Sequence, residues 1–69
     1  MDAKGYRVVI EPLDDGGFRA TVPELPGCTS DGETRQEALA NVEDAIETWI
    51  YCAEQMGRQV PVPAVALTQ

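Results

Sequence analysis

Tyr6-Arg7-Val8-Val9-Ile10-Glu11-Pro12-Leu13-Asp14-Asp15-Gly16-Gly17-Phe18-Arg19-Ala20-Thr21-Val22 is the stretch from which the fold follows. Tyr6, Val8 and Ile10 fall on one face and Arg7, Val9 and Glu11 on the other, a period of two that predicts a strand from Tyr6 to Glu11. Phe18, Ala20 and Val22 alternate with Arg19 and Thr21 in the same way. Between the two runs, Leu13-Asp14-Asp15-Gly16-Gly17 offers glycines for the positive φ of a tight reversal. The two strands therefore pair as an antiparallel hairpin.

Reading outward, Pro23 and Pro26 bracket Glu24-Leu25, and each removes a backbone donor, so the second strand stops there. Residues 27–31 are expected to form a short third strand at an edge of the sheet. Thr34-Arg35-Gln36-Glu37 is a capping box, in which the threonine hydroxyl accepts from the Glu37 amide and the Glu37 carboxylate reaches back to the Thr34 amide. A long helix starts there. Leu39, Val42, Ile46, Trp49, Ala53 and Met56 step by three and four, forming one stripe that faces the sheet. Gly57 is a left-handed stop and Pro61 prevents a restart. Beyond them, residues 64–68 read as a last short strand or as a tail. The fold class expected is α+β: a three- to four-stranded, mainly antiparallel sheet packed by one long helix.

A chain of 69 residues makes one domain, 1–69. At about this length only about 60% of the unfolded surface is buried, and a marginal core is commonly supplemented by a disulfide, a metal or a partner subunit. The first two are poorly supplied. There is no histidine and there are two cysteines, Cys28 and Cys52, too few for a tetrahedral zinc site. The start, Met1-Asp2-Ala3-Lys4-Gly5, lacks the apolar middle of a secretion signal, so a Cys28–Cys52 bridge is disfavoured. Cys28 is read as a small loop residue and Cys52 as a helix residue at the core margin. Self-association to a dimer or tetramer is the supplement expected. No apolar run is long enough for a membrane span, and a cytoplasmic location is expected. Twelve acids against five bases give a net charge of −7, a field that repels phosphate backbones and favours basic partners. Direct nucleic-acid binding is not expected.

The string Val22-Pro23-Glu24-Leu25-Pro26-Gly27-Cys28, with Gly32-Glu33-Thr34 and Glu37-Ala38-Leu39-Ala40-Asn41 after it, resembles the HicB-type antitoxin domain. Glu43-Asp44-Ala45 and Gly57-Arg58-Gln59-Val60-Pro61-Val62-Pro63 continue the resemblance, which covers about residues 6–63. It implies a β-β-β-α-β arrangement, a reduced RNase H-like fold. It also implies a partner, a HicA-type toxin: a small basic ribonuclease that cleaves messenger RNA. Many members of that family carry a C-terminal DNA-binding segment; this sequence shows none, so DNA binding of its own is not expected.

An RNase H-like frame raises the question of catalysis. Two-metal hydrolysis needs carboxylates converging from several elements on a shielded site. Here the core-facing helix positions are apolar, Glu11 lies opposite Tyr6, Val8 and Ile10, and residues 64–68 bring no acid. Without histidine, neither Thr29 nor Ser30 has an activating base. No catalytic residue, metal ligand or cofactor is therefore assigned. The candidates for partner binding are acidic. At about 100° per residue, Glu43, Glu47 and Glu54 cluster roughly opposite the Leu39/Ile46/Trp49 stripe. Tyr51 lies beside them, an amphipathic ring of the kind enriched at interfaces. Asp14 and Asp15 in the hairpin turn are a second acidic candidate. The bland alternatives are a solvated helix face and ordinary turn chemistry. Three functions remain open: an antitoxin-like module that neutralises a basic toxin, a homo-oligomeric adaptor without one, and a degenerate nuclease.

Overall fold

The computed structural model describes residues 2–61. The predicted hairpin is present, as β3 (Val9–Pro12) and β4 (Phe18–Thr21), antiparallel with Ile10 opposite Ala20 and Glu11 opposite Arg19. The Asp15 carboxylate accepts from the Gly17 amide at 3.1 Å and Gly16 takes a φ of 95°, which closes the turn. β5 (Thr29–Gly32) then pairs with β4, Ala20 opposite Ser30, giving a sheet of order β3-β4-β5. This strand begins two residues later than expected. Gly27 and Cys28 belong to the loop, where the Cys28 amide donates to the Leu25 carbonyl at 2.9 Å.

The predicted first strand is interrupted at Val8. Its N-terminal part, β2 (Tyr6–Arg7), pairs with β1 (Asp2–Ala3) in a separate two-stranded hairpin that the sequence reading left unassigned. Lys4 and Gly5, both at positive φ (52° and 86°), form its two-residue reversal. That is the geometry whose twist suits a right-twisted pair of strands.

Helix α1 (Arg35–Gln55) follows the expected cap with one difference. The Thr34 hydroxyl accepts from the Glu37 amide at 3.0 Å, but the Glu37 carboxylate accepts from Glu33, one residue earlier than Thr34. Thr34→Ala should lower stability by about 1 kcal/mol, the usual cost of a lost N-cap, measured by urea unfolding. An unchanged midpoint would mean that solvent satisfies the helix start equally well. At the other end Gly57 has a φ of 72°, with the Arg58 amide on the Ala53 carbonyl (2.8 Å) and the Gly57 amide on Glu54 (3.1 Å). This is a Schellman closure.

The core lies between the sheet and one side of α1. Tyr6, Val8, Ala20 and Val22 meet Ala38, Val42 and Ile46, with Leu39 and Trp49 half-buried at the margin. The helical stripe is as expected except at Met56, which is 65% exposed because it caps the helix beyond the sheet. Leu25 is a core residue that the sequence reading did not select: it is fully buried under its proline-bracketed loop. Trp49 ties that loop to the helix, its indole N–H donating to the Pro26 carbonyl at 2.8 Å. The Tyr6 hydroxyl donates to Pro61 at 2.6 Å, which brings the chain after the helix back beside β2. Burial first, and the charge of Glu24 second, push the Tyr6 phenol above its ordinary value. The expected strand at 64–68 lies outside the described residues.

Candidate functional site

The orientation of α1 sorts the acidic side chains into two groups. Buried Val42, Ile46 and Ala53 define the sheet-facing direction. Counting about 100° per residue, Glu43, Glu47 and Glu54 lie about a quarter turn to one side, not opposite. Ile50 shares that sector and packs against the core, so the sector is a flank and Glu43 is half-buried in it. Glu47 meets Lys4 of the β1–β2 turn at 3.2 Å, an exposed ion pair of small energetic weight. Tyr51, 63% exposed, is the residue that does point away from the sheet. It has Glu47 one turn before it and Glu54 three residues after, so these three form one solvent-facing group with Glu43 at its border.

Asp15 belongs to a different surface. It lines a cleft of about 660 Å³ with Asp31 and Gly32 at the end of β5, Glu33, and Glu37 and Asn41 of α1. Asp14 is exposed at the tip of the turn and does not line it. The sequence reading did not gather these residues, because three separate elements contribute them. The close approach of Gly32 to the first turn of α1 is what joins them: a β-carbon there would lie 2.8 Å from the Glu37 carbonyl carbon. Within the cleft the Asn41 amide donates to the Asp31 carbonyl at 2.8 Å. The Asp31 carboxylate receives Arg19 at 3.0 Å, and that hydrogen bond, more than the charge, raises the guanidinium above its ordinary value.

Further along the same seam, a groove of about 420 Å³ opens between the Gly27–Thr29 backbone and the helix residues Thr48, Trp49, Cys52 and Met56. Both cysteines line it and both are free thiols. Cys28 is buried, and burial pushes its thiol up, away from the nucleophilic thiolate. Cys52 is exposed, further out than the core margin where the sequence placed it. Among the described residues no three His, Cys, Asp or Glu side chains are grouped to hold a metal ion. Among them, too, no helix is long and apolar enough to cross a membrane.

The chain thus presents acidic and apolar surfaces on a three-stranded antiparallel sheet packed by one long helix, with a two-stranded hairpin beside it. A family profile described as the HicB_like antitoxin of bacterial toxin-antitoxin system matches residues 6–69. The chain belongs to this HicB-like antitoxin family. It is 38% identical over 56 residues to UPF0150 protein Ta0767 of Thermoplasma acidophilum, covering 81% of each chain. To UPF0150 protein ssr1765 of a Synechocystis strain it is 41% identical over 58 residues, 84% of this chain and 71% of that one. Antitoxin HicB 1 of Photorhabdus laumondii is 33% identical over 58 residues, 84% of this chain but 37% of that longer protein. Family membership agrees with the expected α+β architecture and sets the chain among components of toxin–antitoxin systems.

Proposed function

We propose that this chain is a non-catalytic, cytoplasmic binding module that neutralises a small basic HicA-type mRNA-cleaving toxin. The observation that carries the reading is an exposed Tyr51 ring set between Glu47 and Glu54 on a member of an antitoxin family. A solvent-exposed aromatic among charges is suited to anchor a contact, while the surrounding carboxylates and the net charge of −7 steer a basic protein toward it. Glu43 and the pair Asp14 and Asp15 extend the same negative field. The carboxylates that meet in the Asp15 cleft serve a turn, a helix cap and an ion pair, which supports a binding role over a hydrolytic one.

Self-association to a dimer or tetramer belongs to the proposal as well. Val9, 47% exposed, stands on the sheet face away from α1, where a second copy would cover it.

The test is kinetic, with a purified HicA-type toxin measured at two ionic strengths and messenger-RNA cleavage as a second readout. Glu47→Lys with Glu54→Lys should slow association about tenfold and flatten its salt dependence, since charges at a rim act chiefly on encounter. Tyr51→Ala should speed dissociation by about thirtyfold, equivalent to about 2 kcal/mol for a buried anchor. Cleavage that continues undiminished at saturating wild-type protein would overturn the antitoxin reading. Normal inhibition by all the variants would move the interface off this face.

A further inference from the structure

Along the β5 edge, unpaired backbone, an apolar recess and an acidic recess lie in a line. The Val22 amide donates to the Cys28 carbonyl at 3.0 Å, which sets the phase of the β4–β5 ladder. Ala20 with Ser30 and Phe18 with Gly32 are then the bonded pairs, because opposed residues alternate between bonded and non-bonded. Thr29 and Asp31 consequently turn their amide and carbonyl groups away from β4. Asn41 satisfies the Asp31 carbonyl, which confirms the direction. The Thr29 amide, the Thr29 carbonyl and the Asp31 amide have no partner among the described residues. Backbone left in this state on an edge is a template for another strand.

The recesses sit at the two ends of that edge. The apolar groove begins at Gly27–Thr29 and the acidic cleft at Asp31–Glu33. Cys28 and Gly32 are four residues apart, about 13 Å along a strand at 3.3 Å per residue. In an added strand, residues i and i+4 point to the same side at that spacing. We infer that a basic partner adds an extended antiparallel segment to β5, seating an apolar side chain against Trp49 and Met56 and a lysine or arginine four residues earlier among Asp15, Glu33 and Glu37.

This rests on the reading of the partner as a basic protein, and charge selects it over a second copy of the chain. A second copy carries the same net charge of −7, and antiparallel pairing would set its own Asp15, Glu33 and Glu37 against the apolar end of this edge. The Asp31 carboxylate takes no part in the selection, since Arg19 already holds it. Strand addition supplies affinity through main-chain bonds and specificity through alternate side chains, the division of labour that this edge and its two recesses offer.

The probe is the peptide acetyl-Thr-Lys-Thr-Val-Thr-Leu-Thr-amide, titrated to millimolar concentration into the ¹⁵N-labelled full chain. Shifts are expected at the Thr29 and Asp31 amides and at the Trp49 indole. Methylating the peptide amides that face β5, or exchanging its lysine for glutamate, should weaken binding at least tenfold, and Glu33→Lys in the protein at least threefold. Shifts centred on β3, no shifts, or indifference to amide methylation would overturn the inference. So would Thr29 and Asp31 amides that are already protected from exchange in the chain alone, since a second copy would then occupy the edge. The failure of the partner reading is separable. A HicA-type toxin that binds tightly while these two amides still exchange freely removes the edge and leaves the antitoxin. Peptide docking without toxin binding does the reverse.

Discussion

Gly32→Ala is expected to lower stability by about 3 kcal/mol or more, enough to leave much of the protein unfolded. Gly32 closes β5 just before the chain turns into α1, and its backbone lies directly on the first helical turn. An added β-carbon would stand 2.8 Å from both the carbonyl carbon and the β-carbon of Glu37, and it would also press on the Ala38 amide. Two of these three neighbours are backbone atoms and Ala38 itself is fully buried, so no flexible side chain can give way. Either the helix start must lift from the sheet or the strand end must bend. Both separate Ala38 and Val42 from the core. A chain of this size holds only about 3–10 kcal/mol in total, at about 0.05–0.15 kcal/mol per residue. Urea unfolding followed by far-ultraviolet circular dichroism is the measurement. A wild-type midpoint in the variant would show that β5 and α1 are not in this contact.

The same residue explains what could be read from the chain and what could not. The β3–β4 hairpin was legible because alternation over several residues reports a buried face directly, and Ala20, Val22, Tyr6 and Val8 are buried as that pattern requires. The helix was legible from its capping box and its Gly57 stop, because both are local chemistry. The β1–β2 hairpin was not, since strands of two residues are too short to alternate and a lysine at positive φ gives no turn signal. Leu25 was hidden for a related reason: two prolines announce a loop, and nothing local says that the loop folds its leucine inward. The candidate surfaces failed at one specific step. Helical spacing grouped Glu43, Glu47 and Glu54 with Tyr51, but their position relative to the sheet depends on how α1 is rotated upon it. That rotation is set by the packing of Val42, Ile46 and Ala53, and it turned an outward band into a flank. The Asp15 cleft needed one more level, because its carboxylates come from a hairpin turn, a strand end and a helix start that Gly32 draws together.

Leu25→Ala should cost about 3–4 kcal/mol, within the range for removing a leucine from a closed core site. The side chain is completely buried, and the loop that carries it is built inward around it. The Leu25 amide donates to Val22 at 3.1 Å and its carbonyl accepts from Cys28 at 2.9 Å, while the Arg7 amide donates to the Glu24 carboxylate at 3.0 Å. Trp49 fastens the far side through Pro26. Truncating the leucine therefore leaves a cavity beneath a backbone whose bonds hold it in place, so collapse can recover little. Leu25→Met, which keeps the volume, should cost less than about 1.5 kcal/mol. The chain has a single tryptophan, so its fluorescence reads the loop without interference. The alanine variant should shift Trp49 emission toward that of a solvated indole at denaturant concentrations where helix signal persists, because the Pro26 contact fails before α1 unwinds. The loop also sets the start of β5 through the Val22–Cys28 bond, so the Thr29 amide should lose its defined position in the same variant. Coincident loss of fluorescence and helix signal would instead make the loop and the helix one cooperative unit, and a cost below about 1 kcal/mol would remove Leu25 from the core.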